Sequence, residues 1–440
     1  MRLIASCVAI SLAATLIVSI SASGQVTPPQ PGVRLSLNYA VGSKPGVLVL
    51  PLAGDDGDSV RTILQRDLDN DDRVTIVALD VAAARALLPT ASGKLNFAVF
   101  AKMGVAAIIR PQVGVTGLTV TMYDVASKQL LQTGNFKIPP EANTPAWRFA
   151  LHGVSDQLEE WIFGSRGVAQ TRILYSGGSS QIWIIDSDGA CARQLTSPDL
   201  TTIAMSPAWH PGGTTFVFSG FTSHGTQIGV YTMATGKTHW QRATPRGLNT
   251  TPSFSPDGHT IAFANGAERG TEVMLADADD ELPARRITVG RGSDNTQPVF
   301  SPDGRQIAFT SGRPGHPEVY TMDVDGTNVQ LLTEFAYGEQ NYRASPDWSP
   351  NGQKIAYESR IGGNFQILTI DLRDRSTKQY TSDGVNEDPS WAPDARHIVF
   401  SSTRSGVRQL WVVDAESGRL RQLTHVSGAR LPAWSPVLKP

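Results

Sequence analysis

The sequence predicts an all-β six-bladed β-propeller preceded by a small α/β domain, and three observations support this architecture. A short unit containing proline and an aromatic residue recurs through the second half of the chain. Each unit carries enough apolar and alternating stretches for four strands. The first part of the chain lacks the unit. The 440 residues include 41 glycines and 28 prolines, which indicates many turns.

The repeated unit reads proline, any residue, tryptophan or phenylalanine, usually a small residue, proline, a turn and an apolar strand. It appears as PAWHPGGTTFVF from Pro207, PSFSPDGHTIAF from Pro252, PVFSPDGRQIAF from Pro298, PDWSPNGQKIAY from Pro346 and PSWAPDARHIVF from Pro389. A partial copy, PAWSP, begins at Pro432, and the copies follow one another at intervals of 43 to 48 residues. This period is typical of a propeller blade of four strands.

Each element of the unit has a structural reading. The aromatic residue starts strand one, at Trp209, Phe254, Phe300, Trp348, Trp391 and Trp434. Asp-Gly or Asn-Gly forms a tight turn, because both residue types tolerate positive φ. The sequence IAF or IVF is strand two, and stretches such as EVYTMD, Glu318–Asp323, are strand three. Strand four is expected to end in threonine, at Thr196, Thr244, Thr288, Thr333, Thr381 and Thr424.

Two incomplete units predict how the ring closes. Residues Thr171–Thr196 supply strands two, three and four, but no PxWSP precedes them. Residues Pro432–Pro436 supply a strand one with no further strand after it. Pairing of 171–196 with 432–436 therefore completes a sixth blade within a propeller domain of residues 166–440. Closure of this kind leaves no open sheet edge between the first and last blades.

The acidic residues of the turns have two possible roles. We interpret the aspartates of the SPDG turns as turn formers, the alternative being catalytic carboxylates. The sequences DVDG at Asp323–Gly326 and DSDG at Asp186–Gly189 resemble the start of a calcium-binding loop. They lack the third acidic position and the terminal glutamate of an EF-hand, so a second hairpin turn is the favoured interpretation.

Residues 46–165 predict the α/β domain. GVLVLPL, Gly46–Leu52, is a buried strand, Asp58 can cap a helix through SVRTILQRDLDN, and RVTIVAL is a second strand. Short helices follow, and then three strands that we expect to be antiparallel. Thr144 and Pro145 begin a last helix as N-cap and first helical residue. Its apolar stripe comprises Trp147, Leu151, Val154, Leu158 and Ile162, at helical spacing.

The N-terminus predicts export. Residues 1–24 read as a signal peptide, with Arg2, an apolar stretch to Ile20, and small residues Ala22 and Gly24 before the predicted cleavage. An uncleaved anchor is the alternative, since about 18 apolar residues is near the minimum membrane span. Residues 25–45 are predicted to form an extended arm, because its prolines disfavour regular structure. After cleavage Cys191 is the one cysteine left, which excludes an internal disulfide and suits a bacterial periplasm.

Charge and motifs argue against several functions. The net charge of −2 gives no basis for binding nucleic acid or anionic lipid. The sequence contains no G-x-S-x-G elbow, no H-E-x-x-H, no P-loop and no G-x-G-x-x-G after a strand. The eight histidines include no close pair, and they are expected at the surface or in turns. We therefore expect no enzymatic activity, no cofactor and no metal centre.

The candidate binding residues lie in the loops that enter strand one, beside the central channel. These loops are rich in Asn, Thr and Asp, which suits hydrogen bonding to a protein partner on a rigid frame. The alternative that these residues only shape turns stays open. The predicted partner-binding residues are Asn249, Thr250, Asn295, Thr296, Tyr342, Arg343 and Glu387.

The ordered combination of leader, α/β domain and PxWSPDG propeller resembles the TolB family of periplasmic Tol–Pal proteins. Beyond the repeat, TRILY at Thr171–Tyr175, LPAWSP at Leu431–Pro436 and GVLVLPL resemble the family. The resemblance implies a non-enzymatic monomeric adaptor that supports outer-membrane integrity and envelope constriction at division. It implies binding of a Pal-like peptidoglycan-associated lipoprotein at one propeller face and of a TolA-like inner-membrane protein through the arm.

The resemblance also bears on single residues and leaves two other functions open. Thr296 matches a Pal-contacting threonine of the family, whereas Leu248 stands where the family often has histidine, and the proline-bearing arm departs from the usual start. One alternative is a propeller that gates or accompanies a peptidase. Another is a polymer- or sugar-binding propeller, which predicts aromatic residues in the mouth loops, where Phe335, Tyr337 and Tyr342 stand.

Overall fold

The structure is a computed structural model of the chain. It describes residues 44–52, 59–87, 95–114, 117–223, 225–241, 246–267, 270–290, 293–334 and 341–438. The predicted signal peptide, residues 25–43 of the predicted arm and Asp58 lie outside the described residues. The boundaries predicted at 45/46 and 165/166 stay predictions.

The N-terminal region is a five-stranded sheet with helices on both faces. Its elements are β1 (Gly46–Val49), α1 (Ser59–Asn70), β2 (Thr75–Ile76), α2 (Val81–Ala86), α3 (Phe97–Lys102), β3 (Ala107–Gly114), β4 (Gly117–Asp124), β5 (Gln129–Lys137) and α4 (Pro145–Phe163). The strand order is β2-β1-β3-β4-β5. β1 is parallel to both of its neighbours, and β3, β4 and β5 are antiparallel, as predicted.

Helix α4 begins where its sequence predicts. The Thr144 hydroxyl accepts a hydrogen bond from Trp147 N at 3.2 Å, and Pro145 occupies the first turn. The helix ends at Gly164, whose φ of 75° lies in the left-handed region that glycine adopts at little cost. The predicted apolar stripe packs with α1 and one sheet face into the domain core.

The C-terminal region is a six-bladed β-propeller. Blade 1 comprises β9 (Ile203–Trp209), β10 (Thr215–Thr222), β11 (Gly225–Thr232) and β12 (Lys237–Trp240), and blade 2 comprises β13 (Leu248–Phe254), β14 (Thr260–Ala267), β15 (Gly270–Asp277) and β16 (Arg285–Arg286). Blade 3 comprises β17 (Asn295–Phe300), β18 (Gln306–Ser311), β19 (Glu318–Asp323) and β20 (Gln330–Leu331). Blade 4 comprises β21 (Arg343–Trp348), β22 (Lys354–Ile361), β23 (Asn364–Asp371) and β24 (Thr377–Gln379). Blade 5 comprises β25 (Asn386–Trp391), β26 (His397–Ser402), β27 (Gln409–Asp414) and β28 (Leu420–Gln422).

Blade 6 joins the two ends of the propeller. It comprises β29 (Arg430–Trp434), β6 (Arg172–Ser176), β7 (Ile182–Asp186) and β8 (Arg193–Gln194), in that order. Trp434 lies opposite Ile173, which confirms the predicted pairing. The Trp434 indole N–H donates to the Thr171 hydroxyl at 2.8 Å, so the closure joins side chains as well as backbone.

The repeated turns are built as the sequence predicts. In blade 2 the Asp257 carboxylate accepts hydrogen bonds from the Ser255 hydroxyl at 2.5 Å and from His259 N at 3.0 Å. Gly258 follows at φ 81°. The turn at Asp323–Gly326 connects β19 to β20, with Gly326 N donating to Asp323 O at 2.9 Å. Both sets of aspartates therefore form hairpin turns.

The repeated threonines play a different part from the one predicted. Strand four ends two residues before the threonine in the five blades where the structure describes it. In blade 3 the Thr333 hydroxyl accepts from Val319 N at 3.0 Å and donates to the Glu318 carboxylate at 2.5 Å, which fixes the start of strand three. Thr288 makes the same two bonds, whereas Thr196 and Thr381 donate to a glutamine side-chain oxygen in place of the carboxylate. Thr424 accepts from Leu410 N at 2.8 Å and from the side-chain amide of Gln409 at 2.7 Å. Thr244 lies outside the described residues.

Candidate partner-binding site at the propeller channel

Strand one of every blade carries the same backbone irregularity beside the channel. The residue before the repeated proline has positive φ, between 49° and 58°, and the pairing with strand two shifts register there. We call these six residues the channel ring: Ser206, Thr251, Gln297, Ser345, Asp388 and Leu431. Positive φ costs a non-glycine residue about 1–3 kcal/mol, and such strain concentrates at functional sites.

The channel ring surrounds a cavity of about 330 Å³. The prolines of the repeat line it together with the residues two positions beyond the ring, which are Ala208, Ser253, Val299, Asp347, Ser390 and Ala433. Strand one therefore lines the channel, as expected. The prediction that the repeated aromatic residue starts strand one is wrong, because the strand begins four to six residues earlier and ends at that residue. The predicted loop residues other than Tyr342 consequently lie within strand one.

Hydrogen bonds between neighbouring blades hold the ring. Gln297 N donates to the Thr251 hydroxyl at 3.2 Å, and Ser345 N donates to the Gln297 side-chain oxygen at 3.0 Å. Asp388 N donates to the Glu358 carboxylate at 3.0 Å, and Leu431 N donates to the Asp388 carboxylate at 3.3 Å. At these four ring residues the backbone N–H is therefore satisfied by a side chain of the preceding blade, which offsets the local strain.

The channel wall is acidic on blades 4 and 5. Burial raises the pKa of Asp347 to about 7. Burial, and then the charge of Glu387, raise the pKa of Asp388 to about 6. Burial, and then the charge of Asp388, raise the pKa of Glu358 to about 8. The ring residues of blades 1, 2 and 3 are neutral, so one side of the channel changes charge near neutral pH and the other does not.

Two of the predicted binding residues are buried and bonded to a neighbouring blade. Asn249 is 2% exposed and donates to Thr226 O of blade 1 at 3.0 Å. Asn295 is fully buried and donates to the Glu272 carboxylate of blade 2 at 3.0 Å. Direct contact with a partner does not fit these two side chains, because they sit inside the seams between blades.

Arg343 is a third seam residue that keeps some exposure. Its guanidinium Nη1 lies 3.1 Å from both carboxylate oxygens of Glu318 and donates to Glu334 O at 3.1 Å. The side chain is 17% exposed.

The other four predicted residues reach the surface. Thr250, Thr296 and Glu387 are partly exposed, and Glu387 forms an ion pair with Arg408. Tyr342 is exposed and packs edge-on against Phe365. The expected aromatic residues Phe335 and Tyr337 lie outside the described residues. Partner binding by the seven residues stays a prediction, and the geometry favours these four.

A feature that the sequence did not reveal is a set of exposed apolar side chains on the same face. These come from the start of strand one and the loops before it, and from the end of strand two and the turn after it, which share one edge of the blades. We call them the apolar rim: Leu248, Val289, Tyr342, Ile361, Val407 and Val426, each between 38% and 80% exposed. Exposed apolar residues that cluster around a polar opening are typical of protein-interaction sites. Single apolar residues in loops become a pattern only when the fold places them together.

Within the described ranges, the group of histidine and acidic side chains close enough to hold a metal lies away from the channel. Asp67, His152 and Asp188 meet between the α/β domain and blade 6. The guanidinium groups of Arg66 and Arg148 already bond to Asp188. The cluster therefore carries its own positive charge and is poorly suited to a further cation.

We compared the sequence with models of known protein families. The sequence model of the family described as TolB beta propeller domain matches residues 160–438. The chain belongs to the TolB β-propeller family. It is 28% identical over 220 residues to the Tol-Pal system protein TolB of Haemophilus influenzae, with 46% of this chain and 49% of the relative covered.

Further relatives extend the comparison to the whole fold. The chain is 26% identical over 197 residues to the Tol-Pal system protein TolB of Gluconobacter oxydans, with 43% of this chain and 42% of the relative covered. The chain thus spans about half the length of the curated relatives it matches. The crystal structure of TolB from Acinetobacter baumannii matches with a TM-score of 0.76 and 24% identity, over 90% of this chain and 97% of that one. That likeness shows that the α/β domain and the propeller of this chain together have the same fold as the Acinetobacter protein.

The helices give no sign of a membrane span. Among the residues that the structure describes, α1 to α4 are each too short or too polar to cross a bilayer.

Proposed function

We propose that this protein is a periplasmic, non-enzymatic adaptor of a Tol–Pal-type envelope complex. Its propeller face binds a peptidoglycan-associated lipoprotein, and its N-terminal arm binds an inner-membrane partner of the TolA type. Through these contacts it supports outer-membrane integrity and envelope constriction in cell division. Membership of the TolB propeller family supports the proposal, since the relatives it matches carry the name Tol-Pal system protein TolB.

The observation that carries the proposal is the coincidence of the apolar rim with the channel mouth. Six exposed apolar side chains lie on the face of blades 2 to 6 that carries the channel mouth, and five of the six channel-ring residues are polar. A partner loop can cover the apolar side chains and place polar groups at the mouth, which is the usual anatomy of a protein interface. Thr250 and Thr296 stand between the rim and the ring, at equivalent positions of blades 2 and 3.

A binding role also fits the use of the polar groups in the channel. The hydroxyl of Thr251 and the amide of Gln297 already bond to the next blade, so they hold backbone in place. Burial raises the pKa values of Asp347, Asp388 and Glu358, and neighbouring acids raise those of Asp388 and Glu358 further. Hydrogen bonds between blades and burial therefore explain the polar groups of the channel without a catalytic role.

The test uses one substitution on the proposed face and a matched one on the opposite face. Thr296→Arg places a large charged side chain between rim and ring. Leu282→Glu changes a 66% exposed apolar residue in the turn between β15 and β16, on the other face. Envelope fractions are passed over each immobilised protein, and captured lipoproteins are identified by mass spectrometry. The affinity of the purified lipoprotein is then measured by calorimetry.

The proposal predicts that wild type and Leu282→Glu capture the same peptidoglycan-associated lipoprotein and that Thr296→Arg loses it. One buried arginine at an interface centre is expected to cost at least about 2 kcal/mol, or roughly thirtyfold in affinity. Equal capture by all three proteins removes this face from the binding site. Hydrolysis of peptide substrates by the purified protein contradicts the non-enzymatic part of the proposal.

A further inference from the structure

Helix α4 has a second buried face, which is polar and points toward the propeller. His152, Ser155 and Asp156 are fully buried and Glu159 is 1% exposed. The His152 ring nitrogen Nδ1 lies 2.8 Å from a carboxylate oxygen of Asp67 on α1. The Ser155 hydroxyl donates to the same oxygen at 2.7 Å. These groups form half of a contact that the propeller completes.

The propeller contributes a carboxylate to this face. Asp188, in the turn between β7 and β8, lies 3.5 Å from His152 Nε2. Arg66 on α1 and Arg148 on α4 both bond to it, Arg148 at 2.7 Å. A single acidic side chain of blade 6 therefore sits among three nitrogen-bearing groups of the α/β domain.

Further charges from every neighbouring element face this cluster. Asp186 of β7 and Arg421 of β28 act on it from the propeller. Arg421 donates to Ser187 O at 3.0 Å, and burial lowers its pKa to about 10. The groups around His152 are thus Asp67, Asp186, Asp188, Arg66, Arg148 and Arg421.

Three groups on α4 hold their protons more tightly than usual. Burial alone lowers the pKa of His152, but the charges of Asp67, Asp188 and Asp186 outweigh it and raise the pKa above its ordinary value. Burial raises the pKa of Asp156 to about 7, although its carboxylate accepts Ala169 N at 2.7 Å and Gln170 N at 3.1 Å. Burial, with the charges of Asp71 and Asp156, raises the pKa of Glu159.

Further ion pairs join the two regions, beside other contacts such as Gln170 Nε2 donating to Phe149 O at 3.1 Å and the Arg172 guanidinium over the Phe149 ring. Arg419 of the turn before β28 bonds to Asp69 at 2.6 Å and to Asp72 at 2.9 Å. Arg396 of blade 5 lies 3.8 Å from Asp71. The apolar core of the α/β domain and that of the closing blade are separate clusters. Each region can therefore keep its own core when the ionic contact weakens.

We propose that the α/β domain and the propeller are joined by a pH-sensitive latch in which His152, held between Asp67 and Asp188, fastens α4 to blade 6. Below the ordinary pKa of histidine the imidazolium is present and the latch is closed. As the pH rises through the raised pKa of His152, the positive charge between the two aspartates is lost. Asp156 and Glu159 act in the same direction, since each gains negative charge beside Asp67 and Asp71. The contact between the two domains weakens as the pH becomes alkaline.

The experiment measures the distance between the domains in residues 25–440, the chain after the predicted cleavage, where Cys191 is the one native cysteine. Spin labels are placed at Ser127→Cys in the turn after β4 and at Arg373→Cys in the turn after β23, both exposed, in a Cys191→Ser background. Pulsed electron–electron resonance then gives the distance distribution at pH 5.5, 7 and 8.5. His152→Asn removes the titrating group, Asp188→Asn weakens the contact from the propeller side, and His210→Asn in blade 1 is the control.

The latch predicts one narrow distance at pH 5.5 and a broader, longer distribution at pH 8.5. Each titrating proton changes the ratio of docked to separated molecules by up to about tenfold per pH unit. His152→Asn and Asp188→Asn are expected to show the broad distribution already at pH 5.5, while His210→Asn behaves as wild type. An unchanged distance from pH 5.5 to 8.5, or wild-type behaviour of His152→Asn, overturns the proposal. Circular dichroism at each pH verifies that both domains remain folded.

Discussion

The channel and the contact between the two domains are held together by different chemistry. Around the channel, side chains of one blade accept backbone N–H groups of the next, as Gln297 does from Ser345 N. Between the domains, charged side chains meet charged side chains, as Arg148 and Asp188 do. Backbone bonds between neutral groups do not respond to pH or salt, whereas ion pairs respond to salt and those that include His152 respond also to pH. The comparison indicates a fixed binding ring on blades 1 to 3 and an adjustable seam beneath blades 5 and 6.

The largest effect is expected where the ring itself closes. Trp434→Ala removes a 6% exposed side chain from the core of blade 6 and its bond to Thr171. Loss of a buried aromatic side chain costs about 3–5 kcal/mol in the free energy of unfolding. Urea unfolding followed by tryptophan fluorescence and circular dichroism measures the change.

The control for that experiment is Val437→Ala, since Val437 is 45% exposed just beyond β29. A loss for Trp434→Ala no larger than that for Val437→Ala would show that closure contributes little to stability.

The second prediction compares a residue of the channel ring with its exposed neighbour in the same strand. Gln297→Ala removes the acceptor of Ser345 N and Thr310 Oγ1, so the free energy of unfolding should fall by about 1–3 kcal/mol. Thr296→Ala, one residue away, should change it by no more than about 0.5 kcal/mol while weakening partner binding. Thermal unfolding and calorimetry on the same preparations give both quantities. Equal destabilisation by the two variants would contradict the assignment of Gln297 as the residue that holds the ring.

The third prediction concerns the acidic side of the channel. Because the pKa of Asp347 is raised to about 7 when folded, the folded state binds a proton more tightly than the unfolded chain. Stability therefore falls as the pH rises from about 4 to 7, by at most about 1.4 kcal/mol per pH unit. Asp347→Asn should flatten this part of the stability profile, measured by urea unfolding at each pH. Parallel profiles for the variant and wild type would be inconsistent with a protonated Asp347.

The smallest effect is expected at the edge of the domain contact. Arg419 is 42% exposed, so Arg419→Ala should destabilise by less than about 1 kcal/mol, and this difference should vanish in high salt. Arg373→Ala, in an exposed turn of blade 4, is the control. Melting temperatures at low and high salt measure both, and a loss that persists in high salt would argue for packing rather than charge.

The sequence predicts the closing blade because comparison with the complete copies of the unit shows which strands each incomplete copy lacks. Strands two to four at 171–196 and strand one at 432–436 are each incomplete, and only their pairing gives a whole blade. The role of the turn aspartates can also be predicted, because Asp-Gly favours a tight turn whatever the rest of the fold.

The channel ring could not be predicted in this way. A residue before proline ordinarily adopts an extended backbone, so Ser206 or Leu431 would be expected in a plain strand. Their positive φ accompanies the bulge, and at Leu431 also a bond from its N–H to Asp388 of the preceding blade, which the local sequence does not encode.

The sequence does not predict the buried polar face of α4, because the apolar stripe beside it already accounts for one buried face. His152, Asp156 and Glu159 repeat at helical spacing, which on a single helix is typical of a solvated face. The expectation that His152 lies at the surface or in a turn is wrong, because the propeller covers that face and buries the side chain completely. His397 is likewise buried, beside Asp394. Burial by a second domain depends on tertiary contacts and is not visible in the spacing of residues.

Hydrogen–deuterium exchange at pH 5.5 and pH 8.5 tests most directly whether the ring is fixed and the domain contact adjustable. After correction for the intrinsic exchange rate, we expect peptides covering 248–254 and 295–300 to keep the same protection at both pH values. Peptides covering 165–171 and 186–190, which lie against α4, should lose protection at pH 8.5. Loss of protection in the ring peptides, or unchanged protection at 165–171 and 186–190, would contradict this account.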